Sequence, residues 1–137
     1  MPLRLLRLFL IFSAIGWGVC IVGMFASWPQ INAIAQGMGA HAIAYDPMLD
    51  YWLRMVCGAF TLVGAWYLAL ALWPCKFAVA IPFFGWIMMV ESVLLLVSGL
   101  RAGIGPFPFY ADVALSFVCG GGIVAFAKAA EPAGNSD

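Results

Sequence analysis

Four apolar runs, each long enough to cross a bilayer and separated only by short polar or breaker-rich segments, leave this chain few alternatives. They are Leu5–Ser27, Trp52–Trp73, Phe77–Gly99 and Phe107–Ala129. At a rise of 1.5 Å per residue each makes a helix of about 33 Å, which covers a hydrocarbon core of about 30 Å. The composition agrees, with 66% hydrophobic and 9% charged residues, far from the roughly even apolar share and quarter charged share of a soluble domain. The fold class expected is all-α: an integral membrane antiparallel four-helix bundle forming one domain over residues 1–137, with 130–137 a solvated tail. Lipid is the first partner implied. Six basic and six acidic residues cancel, which leaves no basic surface for nucleic acid.

The chain begins like a secretory signal, with Arg4 and Arg7 before an apolar run, but no A-x-A site follows, and "WGVC" has Val where a lipobox needs Gly or Ala. The first run is therefore expected to stay as a span. Pro74 ends the second run, "GIGPFP" precedes the fourth, and Pro82 in the second turn of the third is expected to bend it. The second and third spans are joined by little more than Pro74, Cys75 and Lys76, which forces an antiparallel hairpin. The connection from Trp28 to Tyr51 is long. Within it Ile31, Ile34 and Met38 recur at the spacing of a helix lying on the membrane surface, before a turn at "YDP". With the amino terminus inside, Arg4, Arg7, Lys76 and Lys128 share one side and Arg54 and Arg101 the other, so the positive-inside bias places both termini in the cytoplasm. Trp28, Tyr51, Trp52, Phe107, Phe109 and Tyr110 then form an aromatic belt at the outer interface.

Charges at these depths must face the protein interior, because a charge near the bilayer centre costs about 2.5–3.5 kcal/mol. Arg54, Glu91 and Asp112 all fall in the outer half, flanked by Asp50 and Arg101. On their helices Arg54, Gly58, Thr61 and Ala65 share one face, as do Met88, Glu91, Leu95 and Ser98, and Asp112, Ser116 and Gly120. The first span carries a small-residue stripe, Ser13, Gly16, Cys20, Gly23 and Ser27, and the fourth a second small ridge, Gly121, Ala125 and Ala129. Such faces let membrane helices approach closely, one within the bundle and the other toward an external partner. Gly16, Cys20, Gly23, Gly58, Gly120, Gly121 and Ala125 are the packing residues expected.

Three readings compete for Arg54, Glu91, Asp112, Arg101 and Asp50. The first is a structural ion-pair network in which Asp50 pairs with Arg54 and Glu91 is neutralised by Arg54 or by a proton. The second is a ligand or proton site, and the third a catalytic acid and base acting on a lipophilic substrate. His41 beside Asp46 and Asp50 has no ligand spacing that repeats, and with one histidine and no C-x-x-C a metal or cofactor role is not expected. Cys20, Cys57, Cys75 and Cys119 read as packing residues.

At "YDPMLDYWLRM", "GAFTLVGAWY", "WPCKFAVAIPFFGW", "ESVLLLVSG" and "GPFPFYAD" the chain resembles a group of small bacterial four-helix membrane proteins of unknown function, loosely similar to the DoxX-like superfamily. The resemblance spans Leu5 to Ala127. It implies a four-helix bundle in the bacterial inner membrane and marks Arg54, Glu91 and Asp112 as its polar positions, without implying an activity. The thiol pair that a redox partnership would suggest is missing. The function expected is a small membrane subunit or binding module, with a polar pocket beneath the 28–51 connection, that assembles with itself or with a larger membrane complex. The alternative is an enzyme or proton-coupled carrier acting on a small amphiphile through Glu91 and Asp112.

Overall fold

The computed structural model describes residues 1–131, apart from the side chain of Pro106. Among them it holds six α-helices and a closing 3-10 turn, and no strand. The first span, Pro2–Phe25, is α1 (Pro2–Gly18) and α2 (Ile21–Phe25), broken at Val19 and Cys20. The surface helix α3 is Trp28–Gly37, and the remaining spans are α4 (Pro47–Leu72), α5 (Ala80–Ala102) and α6 (Pro106–Phe126), the last continuing into the 3-10 turn Ala127–Ala130. All four spans are long and apolar enough to cross a membrane. Phe107 is extended, so regular helix begins after it.

Local chemistry explains where the boundaries differ from expectation. Helix α4 starts at Pro47, five residues before Trp52, because Asp46 caps it: Oδ1 accepts from the amides of Met48 and Leu49 at 2.8 and 3.0 Å. An Asp followed by Pro at the first helical position is a start signal as well as a turn. At 26 residues α4 is about 39 Å long, so its first two turns rise above a hydrocarbon core of about 30 Å. Helix α5 is shifted by three residues from 77–99, since Trp73–Val79 forms hydrogen-bonded turns. Pro82, expected in the second turn, therefore lies in the first, where amides need no helical partner and the usual cause of a proline bend is missing. Gly103, at φ 62°, ends α5 in the left-handed conformation, with the Ile104 amide returning to the Gly99 carbonyl at 3.1 Å. Of the expected tail, Ala130 is fully buried in the core and residues 132–137 lie outside those described.

The helices pack in the order α4, α1, α6, α5, each on the next. Close approach comes from glycines. A side chain at Gly64 would meet the Gly18 backbone, and Gly85 and Gly120 each face the other's carbonyl across the α5–α6 contact. Gly16 abuts Leu115, Gly23 abuts Cys57, and Gly122 lies under the Phe9 ring. Gly58, by contrast, makes only ordinary contact with Met24, and Gly121 has nothing within 4 Å. Ala125 is exposed, so its ridge with Gly121 faces outward rather than into the bundle.

The α4 and α5 backbones stay apart and are bridged by aromatic side chains. Tyr67, 1% exposed, donates its hydroxyl to the Phe84 carbonyl at 3.0 Å and meets the Phe84 ring edge-on at 5.7 Å. This bridge belongs to the end of the bundle that carries both termini, where Leu6, Leu10, Leu70, Ile81 and Ile123 are fully buried. Toward the α3 end the described residues form no comparable core, apart from Phe109 seated on Gly99. The bundle is thus pinched at one end and open at the other. Tyr67→Phe should lower stability by about 1 kcal/mol, the worth of one hydrogen bond, read as a shift in the detergent-unfolding midpoint; an unchanged midpoint would mean that ring packing alone joins α4 to α5.

Candidate functional site

Glu91 lies eleven residues from either end of α5, about 16 Å from each. The expected span of 77–99 had put it nearer the outer surface. Asp112 is six residues into α6. Both side chains line one cavity of about 180 Å³ in the open half of the bundle, together with Ser116 of α6, Cys20 and Trp17 of the first span and Phe60 of α4. The helical periods explain the convergence: Met88, Glu91 and Leu95 fall on one face of α5, Asp112 and Ser116 on one face of α6, and Ser13 and Gly16 on one face of α1, with Cys20 just beyond its end.

Among the described residues, no lysine, arginine or histidine lines this cavity. Ser116 is 5% exposed and forms no side-chain hydrogen bond among the described residues, whereas buried Ser13 bonds to the Phe9 carbonyl at 2.8 Å and Ser92 to the Val113 carbonyl at 3.0 Å. Trp17 and Phe60 form an edge-to-face pair, centroids 4.9 Å apart, on the opposite wall. Glu91 is half-buried and Asp112 is exposed at the mouth. A second cavity, of about 290 Å³, shares Leu95 and Asp112 with the first and continues past Phe109 to Ile104 in the α5–α6 turn. No residue between 28 and 51 lines either one, so the opening lies along α5 and α6 and not beneath that connection.

The expected five-residue cluster divides in three. Arg54 does not reach the cavity. Its Nη1 donates to the Met24 carbonyl at 2.6 Å and its Nη2 to the Ala26 carbonyl at 3.3 Å, while Nε donates to Asp50 Oδ2 at 3.2 Å. Asp50 Oδ1 lies 3.0 Å from Nη2, an ionic contact without hydrogen-bond geometry. The physical reason is the early start of α4, which places Arg54 two turns in, level with the end of α2, where carbonyls without helical partners attract a cation. Arg101 is separate again, exposed in the last turn of α5 and free of ion pairs among the described residues. Glu91 and Asp112 remain as the pair that shares a site.

Two arrangements had no clear sequence signal. Ser116 was visible only as a member of the Asp112 face, with nothing to mark its hydroxyl as unpartnered. The connection after α3 is held by Asn32, whose Nδ2 donates to the Ile43 carbonyl at 3.0 Å and whose Oδ1 accepts from the Ile43 amide at 3.2 Å. The start of α3 is fixed by Gln30 Oε1, which accepts from the Ser27 amide at 2.8 Å. His41 is exposed in that connection, and among the described residues no three His, Cys, Asp or Glu side chains gather as a metal site would require. Comparison with protein-family models, with characterised proteins and with solved structures gives no match.

Proposed function

We propose that this chain is a small multi-pass binding module of the bacterial inner membrane, with both termini cytoplasmic and a ligand cavity in the outer half of the bundle. One observation carries the reading: Glu91, Asp112 and Ser116 face a common cavity, and among the described residues Ser116 has no hydrogen-bond partner and no basic residue stands on the cavity walls. The ion-pair form of a structural network needs Glu91 paired with Arg54, and Arg54 is occupied by Asp50 and two carbonyls, which leaves a proton as that network's one means of neutralising Glu91. Polar groups at membrane depth without protein partners are the usual mark of a ligand or ion pathway. The outward ridge of Gly121 and Ala125 supports a further role in packing against a second copy or another membrane protein, with lipid as the surrounding solvent. Nucleic acid has no part in it.

The test is mass spectrometry of small molecules that co-migrate with the protein through purification in mild detergent. Glu91→Gln and Asp112→Asn should each change unfolding stability by less than about 1 kcal/mol, since neither side chain makes a hydrogen bond or ion pair among the described residues, and each should lose the co-migrating species. Variants that fail to assemble, or that keep the same species in the same amount, would return the carboxyls to a structural role. A second reading, a proton-coupled carrier or an enzyme using Glu91 and Asp112 as base and acid, is favoured by the adjoining cavities that meet at Asp112. It requires that turnover or uptake fall in the same variants.

A further inference from the structure

Given that reading of the cavity, its chemistry goes further than the existence of a ligand. We propose that the occupant is a cationic amphiphile: an organic ammonium headgroup held between Glu91 and Asp112, with an apolar tail in the adjoining cavity. Four observations converge on this class. Among the described residues two carboxyls and no basic side chain face the inner cavity, so an anionic headgroup would meet only like charge, while a cation supplies the neutralisation that the cavity walls lack. Ser116, nineteen-twentieths buried and unpartnered, places an acceptor beside the carboxyls.

The Trp17 and Phe60 rings on the facing wall add aromatic surface that attracts cations and repels anions. A metal ion is a poor fit, because no three-ligand grouping of His, Cys, Asp and Glu occurs among the described residues. Size then separates headgroup from tail. A cavity of about 180 Å³ is smaller than the pockets of about 300 Å³ or more that enclose drug-sized ligands whole. It holds a headgroup. The second cavity, of about 290 Å³, is walled by Leu95, Phe109 and Ile104 and offers room for hydrocarbon. Asp112 belongs to both, so the headgroup passes Asp112 before it reaches Glu91.

The experiment uses the full chain in lipid nanodiscs, with protein-free nanodiscs to subtract partitioning. Equilibrium binding is measured for three amphiphiles with the same chain: octyltrimethylammonium, octyl sulfate and octyl glucoside. The ammonium compound should bind saturably at one per chain. Glu91→Gln and Asp112→Asn should each weaken it by at least about tenfold, as expected for removing one carboxylate that contacts the bound cation, and Glu91→Asp should keep most of the affinity. Comparable saturable binding of the sulfate or the glucoside would overturn the charge assignment, and so would full affinity in both neutral variants. If a Leu95→Trp substitution abolishes such unselective binding, the cavity stands as a ligand site and only the cation falls. If none of the three compounds binds saturably, the binding-module reading falls with it. The selectivity of the unmodified protein decides the matter even where a variant folds poorly.

Discussion

Gly64→Ala should destabilise the protein by about 3 kcal/mol or prevent recovery of folded chain, although the same exchange favours an isolated helix by up to about 1 kcal/mol. The added Cβ would lie 2.5 Å from the Gly18 nitrogen, 2.7 Å from the Gly18 Cα and 2.9 Å from the Ala14 carbonyl oxygen. All three are backbone atoms, so no rotamer change relieves the overlap. The α1 and α4 helices must separate, and the contacts of Leu10 and Tyr67 loosen with them. Gly121→Ala is the matched control, because nothing lies within 4 Å of that position. It should be neutral or slightly stabilising in the monomer. Denaturant titration of both variants in the same detergent checks the pair, and equal effects would contradict the α1–α4 geometry. If Gly121→Ala instead changes the oligomeric state, the outward ridge is in use as an interface.

What could be read from the chain itself follows from how far each signal reaches. Apolar length and helical period are local properties, and they carried the number of spans and the faces on which Glu91, Asp112 and Ser116 sit. They also carried the convergence of those faces, since a charge at that depth has nowhere else to point. Lipid-facing and core-facing residues are equally apolar in a membrane protein, so periodicity could not select the packing face of α4. The sequence pointed to the face through Gly58 and Ala65, whereas the structure buries Gly64, Tyr67 and Ala71, with Gly64 against the Gly18 backbone and the Tyr67 hydroxyl on the Phe84 carbonyl. The partner of Arg54 was hidden for a different reason. Backbone carbonyls are the same in every sequence, and their availability depends on where a helix stops, a property fixed to within a residue or two only by tertiary contacts. Asp46–Pro47 did mark the start of α4, and reading it as a cap would have moved Arg54 away from Glu91.

Arg54→Met should cost about 2 kcal/mol. Hydrogen bonds to a charged group are worth about 1.5–3 kcal/mol each, but the arginine side chain is 37% exposed, so solvent screens part of that. Methionine keeps much of the apolar stem and removes the donors. The Met24 and Ala26 carbonyls then lose the only side chain that bonds them among the described residues, α2 keeps its packing on α4 but loses this polar tie, and Asp50 is left without its cation. Asp50→Asn removes the charge pair alone and leaves the carbonyl bonds in place. It should cost less than about 1 kcal/mol, the usual scale for a partly exposed pair. The double variant should therefore match Arg54→Met to within a few tenths of a kcal/mol, because the aspartate has little left to contribute once the guanidinium is gone. Should Asp50→Asn prove as damaging as Arg54→Met, the ion pair and not the carbonyl clamp would be what ties α2 to α4. Because Arg54 lines neither cavity, Arg54→Met should leave the affinity for octyltrimethylammonium within about twofold of the unmodified chain, well inside one tenfold step of about 1.4 kcal/mol. That separates the residue that holds the bundle's open end from the two that face its contents.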